Sequence, residues 1–115
     1  MRTVTTQQPI TLGDLRAMAT RSFGDMVKAV VDIDRGLMIV DAEMHADQEA
    51  ELLEAGSRQE NLWGINLYPD LPESDWLEYD SMINLRPSFG NRTRGVDDPA
   101  ARAHIATLVK ELVAR

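Results

Sequence analysis

The chain has no cysteine, which excludes disulfides, thiolate metal sites and cysteine nucleophiles together and fits a reducing compartment. Histidine is almost as scarce: His45 and His104 are the only two, so no zinc motif can take two histidines from one helical turn. No apolar run approaches the roughly 20 residues of a membrane-spanning helix. The stretch from Met1 to Leu12 is polar and lacks the apolar centre of a signal peptide. A cytoplasmic protein with no membrane segment is therefore expected. Basic residues are outnumbered, 12 against 19 acids, and the net charge of −7 argues against general binding to nucleic acid. The scattered glycines form neither a Walker loop nor a dinucleotide fingerprint. Ser57 and Ser81 sit in no nucleophile motif, so a Ser-His-Asp triad is unsupported.

What is present has the balance of one folded domain spanning residues 1–115, with 43% hydrophobic and 27% charged residues. No repeat, low-complexity tract or linker divides it. Thr11 with Asp14 three residues on marks a helix N-terminus, and Leu12, Leu15, Met18, Ala19 and Phe23 recur at helical spacing up to Gly24. Val27 to Asp34 and Leu37 to Val40 read as two strands around the turn Asp34-Arg35-Gly36. A second helix is predicted over Ala46–Ala55, closed by Gly56. Asn61 to Tyr68 and Trp76 to Arg86 read as two further strands, with Trp63 and Trp76 as packing residues. Asp97-Asp98-Pro99 opens a last helix whose stripe is Ile105, Leu108, Val109 and Leu112. The sum is an α+β domain: a mostly antiparallel sheet of about four strands with three helices, mainly on one face.

The most distinctive segment runs from Asp80 to Arg94. Between Arg86 and Arg94 it holds three arginines and no acid, in an acidic chain. If the strand continues to Arg86 with Leu77, Tyr79, Ile83 and Leu85 inward, period-two alternation puts Asp80, Asn84 and Arg86 in one outward polar row. Asn66 has the corresponding parity on its own strand, and Lys28 and Asp32 share one parity on the first. Arg92 and Arg94 would then stand above this row on a loop in which Gly90 and Asn91 can reach positive φ. Guanidinium groups bind carboxylate or phosphate in a bidentate manner, and turned backbone amides add to such a site. The predicted ligand-binding set is Asn66, Asp80, Asn84, Arg86, Asn91, Arg92 and Arg94. The plainer alternative is an Asp80–Arg86 ion-pair network on a solvated sheet face.

A second cluster is Glu43-Met44-His45-Ala46-Asp47-Gln48-Glu49. His45 and Glu49 are four apart, as are Glu43 and Asp47, so each pair shares a helix face. His45 with Asp47 or Asp80 is the candidate acid–base pair, and His45 with Glu49 the candidate metal pair. The competing reading is helix N-terminal chemistry, with Glu49, Glu51 and Glu54 on a wet face. His104 reads as a packed or half-exposed surface residue.

Phe23-Gly24-Asp25-Met26-Val27-Lys28, His45-Ala46-Asp47, Leu62-Trp63-Gly64-Ile65-Asn66-Leu67-Tyr68-Pro69 and Asp80-Ser81-Met82-Ile83-Asn84-Leu85-Arg86-Pro87, continued by Gly90-Asn91-Arg92, resemble a small bacterial family of uncharacterised proteins over nearly the whole chain. The resemblance implies a compact stand-alone protein and transfers no catalytic residue and no cofactor. The leading expectation is a small cytosolic binding protein, a homo-oligomer pairing through an uncovered sheet face, that holds a polar or anionic ligand. Its rivals are a metal-assisted or His/carboxylate hydrolase and a protein-interaction module using the acidic 41–80 region, which holds 12 of the 19 acids.

Overall fold

The computed structural model describes all 115 residues. In chain order the elements are β1 (Arg2–Val4), β2 (Ile10–Thr11), α1 (Leu12–Arg21), β3 (Val27–Asp32), β4 (Leu37–Val40), α2 (His45–Glu54), β5 (Leu62–Leu67), β6 (Leu77–Glu78), α3 (Pro99–Leu112) and β7 (Val113–Ala114). Five strands form an antiparallel sheet in the order β1-β4-β3-β5-β6, and β2 and β7 pair separately in parallel. The fold is α+β, as the sequence predicts.

Alternation along β3, β4 and β5 gives the sheet two apolar faces. Val27, Ala29 and Val31, with Met38, Val40, Ile65 and Leu67, join the buried residues of α1 and α3 in the larger cluster. Val30, Leu37, Ile39 and Leu62 face the other way and pack against Leu52 of α2. Two helices therefore share one face and α2 covers the other, including the side on which the expected homo-oligomer was to pair. The helix ends follow local chemistry. The Thr11 hydroxyl accepts from the Asp14 amide at 3.0 Å, and Asp98 caps α3 with Pro99 in its first turn.

The strand predicted over Trp76–Arg86 is the main correction. It pairs only at Leu77 and Glu78, against Leu67 and Asn66. Leu77 and Tyr79 do face the larger core, but Ile83 packs in the other cluster, and Met82 and Leu85 are exposed. Ser81 ends the alternation: its hydroxyl accepts from the Ile83 amide and starts a 3-10 turn over Met82–Asn84. Ser favours such caps because its side chain offers the backbone an alternative to the sheet ladder. A second 3-10 turn, Pro87–Phe89, and Gly90 at φ 85° close a tight loop in which Arg86 and Asn91 pair backbone to backbone.

The 3-10 turn capped by Ser81 folds onto β5 because residue 64 is glycine. A Cβ there would stand 2.5 Å from both Cβ and Oγ of Ser81 and 3.1 Å from Ile83. Gly64→Ala is expected to cost about 1–3 kcal/mol through overpacking, measured as a lower denaturant midpoint at unchanged slope.

Candidate functional site

Beyond its pairing with β6, the outer edge of β5 is completed by side chains. Asn84, fully buried, accepts from the Gly64 amide at 2.8 Å and donates to the Gly64 carbonyl at 2.9 Å and the Arg94 carbonyl at 3.0 Å. Arg86, also buried, donates to the Leu62 carbonyl at 2.8 Å and to the Gln59 carbonyl, and its guanidinium stacks 4.3 Å from the Trp63 ring centre. Burial lowers the Arg86 pKa, while the nearby Glu49 and Glu60 carboxylates support its charge. Asn91 donates to the Asn84 carbonyl at 2.7 Å and the Gly95 carbonyl at 2.8 Å, and accepts from the Asp97 amide. Asn84 and Arg86 therefore do not form an outward row with Asp80, and Asn91 is buried within the loop. Parity fails because the strand ends at Glu78; the polar atoms of Asn84 and Arg86 replace a missing neighbour strand, and Asn91 ties together the loop that carries them.

The remaining predicted residues separate. Arg92 is exposed, its backbone amide donating to Asp97 at 2.7 Å, with no side-chain partner. Arg94 turns the other way and pairs its Nε with Asp80 Oδ1 at 2.8 Å. Asp47 lies on the exposed side of α2 with Glu51 and Glu54, and His104 is exposed on α3. No group of three or more His, Asp or Glu side chains comes together with metal-holding geometry. The pair His45 and Glu49 is divided, the imidazole bonded to β5 and the carboxylate near Arg86.

A cavity of about 470 Å³ opens on the α2 side of the sheet and brings His45, Asn66, Asp80 and Arg94 together with Lys28, Tyr68 and Glu78. Met26, Met44 and Met82 supply an apolar rim. Its floor is a cross-strand row: Lys28 of β3 stands opposite Asn66 of β5, which stands opposite Glu78 of β6. The first residues of α2, Met44 to Ala46, form one wall. Met44 occupies the N-cap position without a side-chain hydrogen bond to the first turn, so this positive helix end has no capping group of its own.

Asn66 is 5% exposed and donates through Nδ2 to Glu78 Oε1 at 2.8 Å and to the Asp80 carbonyl at 3.1 Å. Its Oδ1 has no donor. The Tyr68 hydroxyl also donates to Glu78 Oε1, at 3.1 Å, and partial burial with this contact raises its pKa. Lys28 makes no ion pair; its Nζ sits 5.2 Å from the Phe23 ring centre.

His45 is 8% exposed, with Nε2 at 2.8 Å from the Ile65 carbonyl. A carbonyl only accepts, so Nε2 carries a proton and Nδ1 is the unprotonated nitrogen of the neutral ring. Burial lowers the His45 pKa and Lys28 adds to that, while the Ile65 carbonyl, Asp80 and Asn66 work in the opposite sense. The neutral ring is favoured in the folded state. Below the unfolded-state value, 6.5, the unfolded chain binds the proton more readily. Stability is therefore expected to fall as pH drops from 6.5 toward the folded pKa and to level off above 6.5. His45→Gln should remove that part of the slope in denaturant titrations at a series of pH values.

Sequence reasoning did not place Lys28, Tyr68, Glu78 or the three methionines in the site, although the strand parity of Glu78 and Met82 matches that of Asp80. Lys28 has the same strand parity as the cavity floor, but only the β3-β5-β6 register shows what it faces. Met44 as a poor capping residue ahead of a helix was a readable sign of an open N-terminus.

The model of a family described as Protein of unknown function (DUF5674) matches residues 4–112. The chain belongs to that family. No curated protein and no solved structure matches it.

Proposed function

We propose that this member of a family without an assigned activity binds a small polar ligand bearing an anionic group, in the cavity between α2 and the sheet. The observation that supports this reading most is the convergence of Lys28, which has no carboxylate partner, and the uncapped N-terminus of α2 on one concave surface. A cavity of about 470 Å³ falls within the usual range for small-molecule sites. An anion there meets Lys28 and the helix dipole together. In this reading Asp80 and Arg94 neutralise each other at the cavity's rim, and Asn66 positions Glu78.

The test is calorimetric titration of a panel of small carboxylates and phosphates against the protein, Lys28→Ala and Arg92→Ala. The tightest carboxylate or phosphate is expected to lose at least about tenfold in affinity with Lys28→Ala, the scale of one charged hydrogen bond. Arg92→Ala should leave it unchanged. The reverse pattern would move the ligand to the arginine loop.

One observation favours a second reading, hydrolysis by a His/carboxylate pair. The Ile65 carbonyl fixes the His45 tautomer, leaving Nδ1 unprotonated on a ring that lines the same cavity as Asp80. A base so placed would activate water, with Asp80 stabilising the imidazolium that forms. Release of product from ester or amide substrates, lost in His45→Gln while ligand affinity persists, is the result this reading expects.

A further inference from the structure

We infer that the ligand is a short zwitterion with apolar side chains, of the chemical class of a dipeptide with free termini. This rests on the reading of the cavity as a ligand site and narrows what enters it. The unmatched charges of the cavity have both signs and stand apart. Arg94 and Asp80 cancel each other at 2.8 Å. Lys28 is left as a cation without a carboxylate. Glu78 is left with Oε2 free, because both its donors, Asn66 and Tyr68, reach the same oxygen, Oε1.

The register fixes the spacing. Lys28, Asn66 and Glu78 are direct cross-strand neighbours on β3, β5 and β6, so two strand spacings of about 4.8 Å separate the charged positions by about 10 Å. A purely anionic ligand long enough to fill the cavity would approach Glu78 with like charge. A purely cationic one would meet Lys28 and the positive end of α2. A zwitterion satisfies both ends. An extended dipeptide spans up to about 7 Å, and a contact of about 2.8 Å at each end brings it within reach of both flexible side chains. By the same measure a single amino acid, about 3.5 Å long with a contact at each end, comes to about 9 Å and falls just short of the row.

Two further features suit a peptide. Asn66, at the centre of the row, gives the cavity floor a polar amide side chain midway between the two charges, level with the peptide bond of an extended dipeptide. Met26, Met44 and Met82 line the cavity, Met44 and Met82 largely exposed. Unbranched thioether side chains adapt to apolar groups of varied shape, so selectivity is expected for free termini more than for side-chain identity.

The experiment is calorimetry with leucyl-leucine, its N-acetyl derivative and its C-terminal amide, on the unmodified protein, Lys28→Met and Glu78→Gln. Each blocking group is expected to weaken binding about tenfold to a hundredfold. Lys28→Met should weaken the free dipeptide and abolish the effect of amidation, and Glu78→Gln should do the same for acetylation. Equal affinity for the acetylated and free dipeptide overturns the zwitterion and leaves an anion site. Equal affinity for the amide and free dipeptide overturns it likewise. Binding of simple carboxylates with Lys28 dependence, but of no dipeptide, also overturns it while the cavity reading stands. If neither carboxylates nor dipeptides bind, both fall.

Discussion

Replacing Arg86 with alanine is expected to destabilise the protein by about 2–4 kcal/mol, because the change leaves the Leu62 carbonyl without its donor, takes one of two donors from the Gln59 carbonyl and strips a stacking partner from Trp63. The Gln59 and Leu62 carbonyls lie at the start of β5, where β6 does not reach, and Arg86 satisfies both with one planar fork. The cost includes Glu49, whose Oε2 is buried without a hydrogen bond and loses the neighbouring cation that supports it. Arg86→Lys should recover only part of the loss, since an ammonium cannot reproduce the guanidinium's paired geometry. Denaturant unfolding measures both. Ligand affinity in the cavity, measured well below the unfolding midpoint, should not change. A variant of native stability that loses ligand would return Arg86 to the binding set.

Asn84→Ala is expected to cost a similar amount, about 2–4 kcal/mol. Asn84 is fully buried and pairs with Gly64 through both an acceptor and a donor, imitating a strand partner, while its second N–H holds the Arg94 carbonyl. Alanine leaves the Gly64 amide and carbonyl unpaired, while the Arg94 carbonyl keeps the Ser81 amide, in a site too tight for much relaxation, as the closeness of Ser81 to Gly64 shows. The loss should be local in its dynamics as well, with the Gly64 amide exchanging with solvent faster than its neighbours in β5. Asn84→Asp is expected to be no better, because it keeps the acceptor for the Gly64 amide but sets a carboxylate against two carbonyls. Protection of Gly64 unchanged in Asn84→Ala would contradict this account of the β5 edge.

Much of the fold was legible in the chain. The caps at Thr11 and Asp98, the stripe Ile105–Leu112 and the strand Leu37–Val40 are local signals that tertiary contacts reinforced. The segment after Glu78 reads as a strand in the sequence because Tyr79, Ile83 and Leu85 fall at even spacing, which 3-10 turns and loops accommodate as well as a strand. The Asp80-Ser81 pair and Asn84 were cap and turn chemistry, and they outweighed the apolar pattern. Side-chain charge then gave a wrong impression of exposure for Arg86, which carries its charge inside because backbone carbonyls and Trp63 receive it. The cavity was half visible: His45, Asn66, Asp80 and Arg94 were named from sequence, but their meeting depends on α2 crossing the second sheet face. Lys28 and Glu78 required the β3-β5-β6 register, which no single-strand periodicity contains.

The arginine-rich segment divides, with Asn84, Arg86 and Asn91 holding the fold while Arg94 turns toward the cavity proposed as the ligand site. Backbone amide chemical shifts recorded while leucyl-leucine and small carboxylates are titrated in measure this most directly. The predicted result is perturbation centred on Lys28, Met44 to Ala46, Asn66 and Glu78 to Met82, with Phe89 to Arg92 unmoved. Perturbation centred on Phe89 to Arg92, with Lys28 and His45 silent, would contradict it.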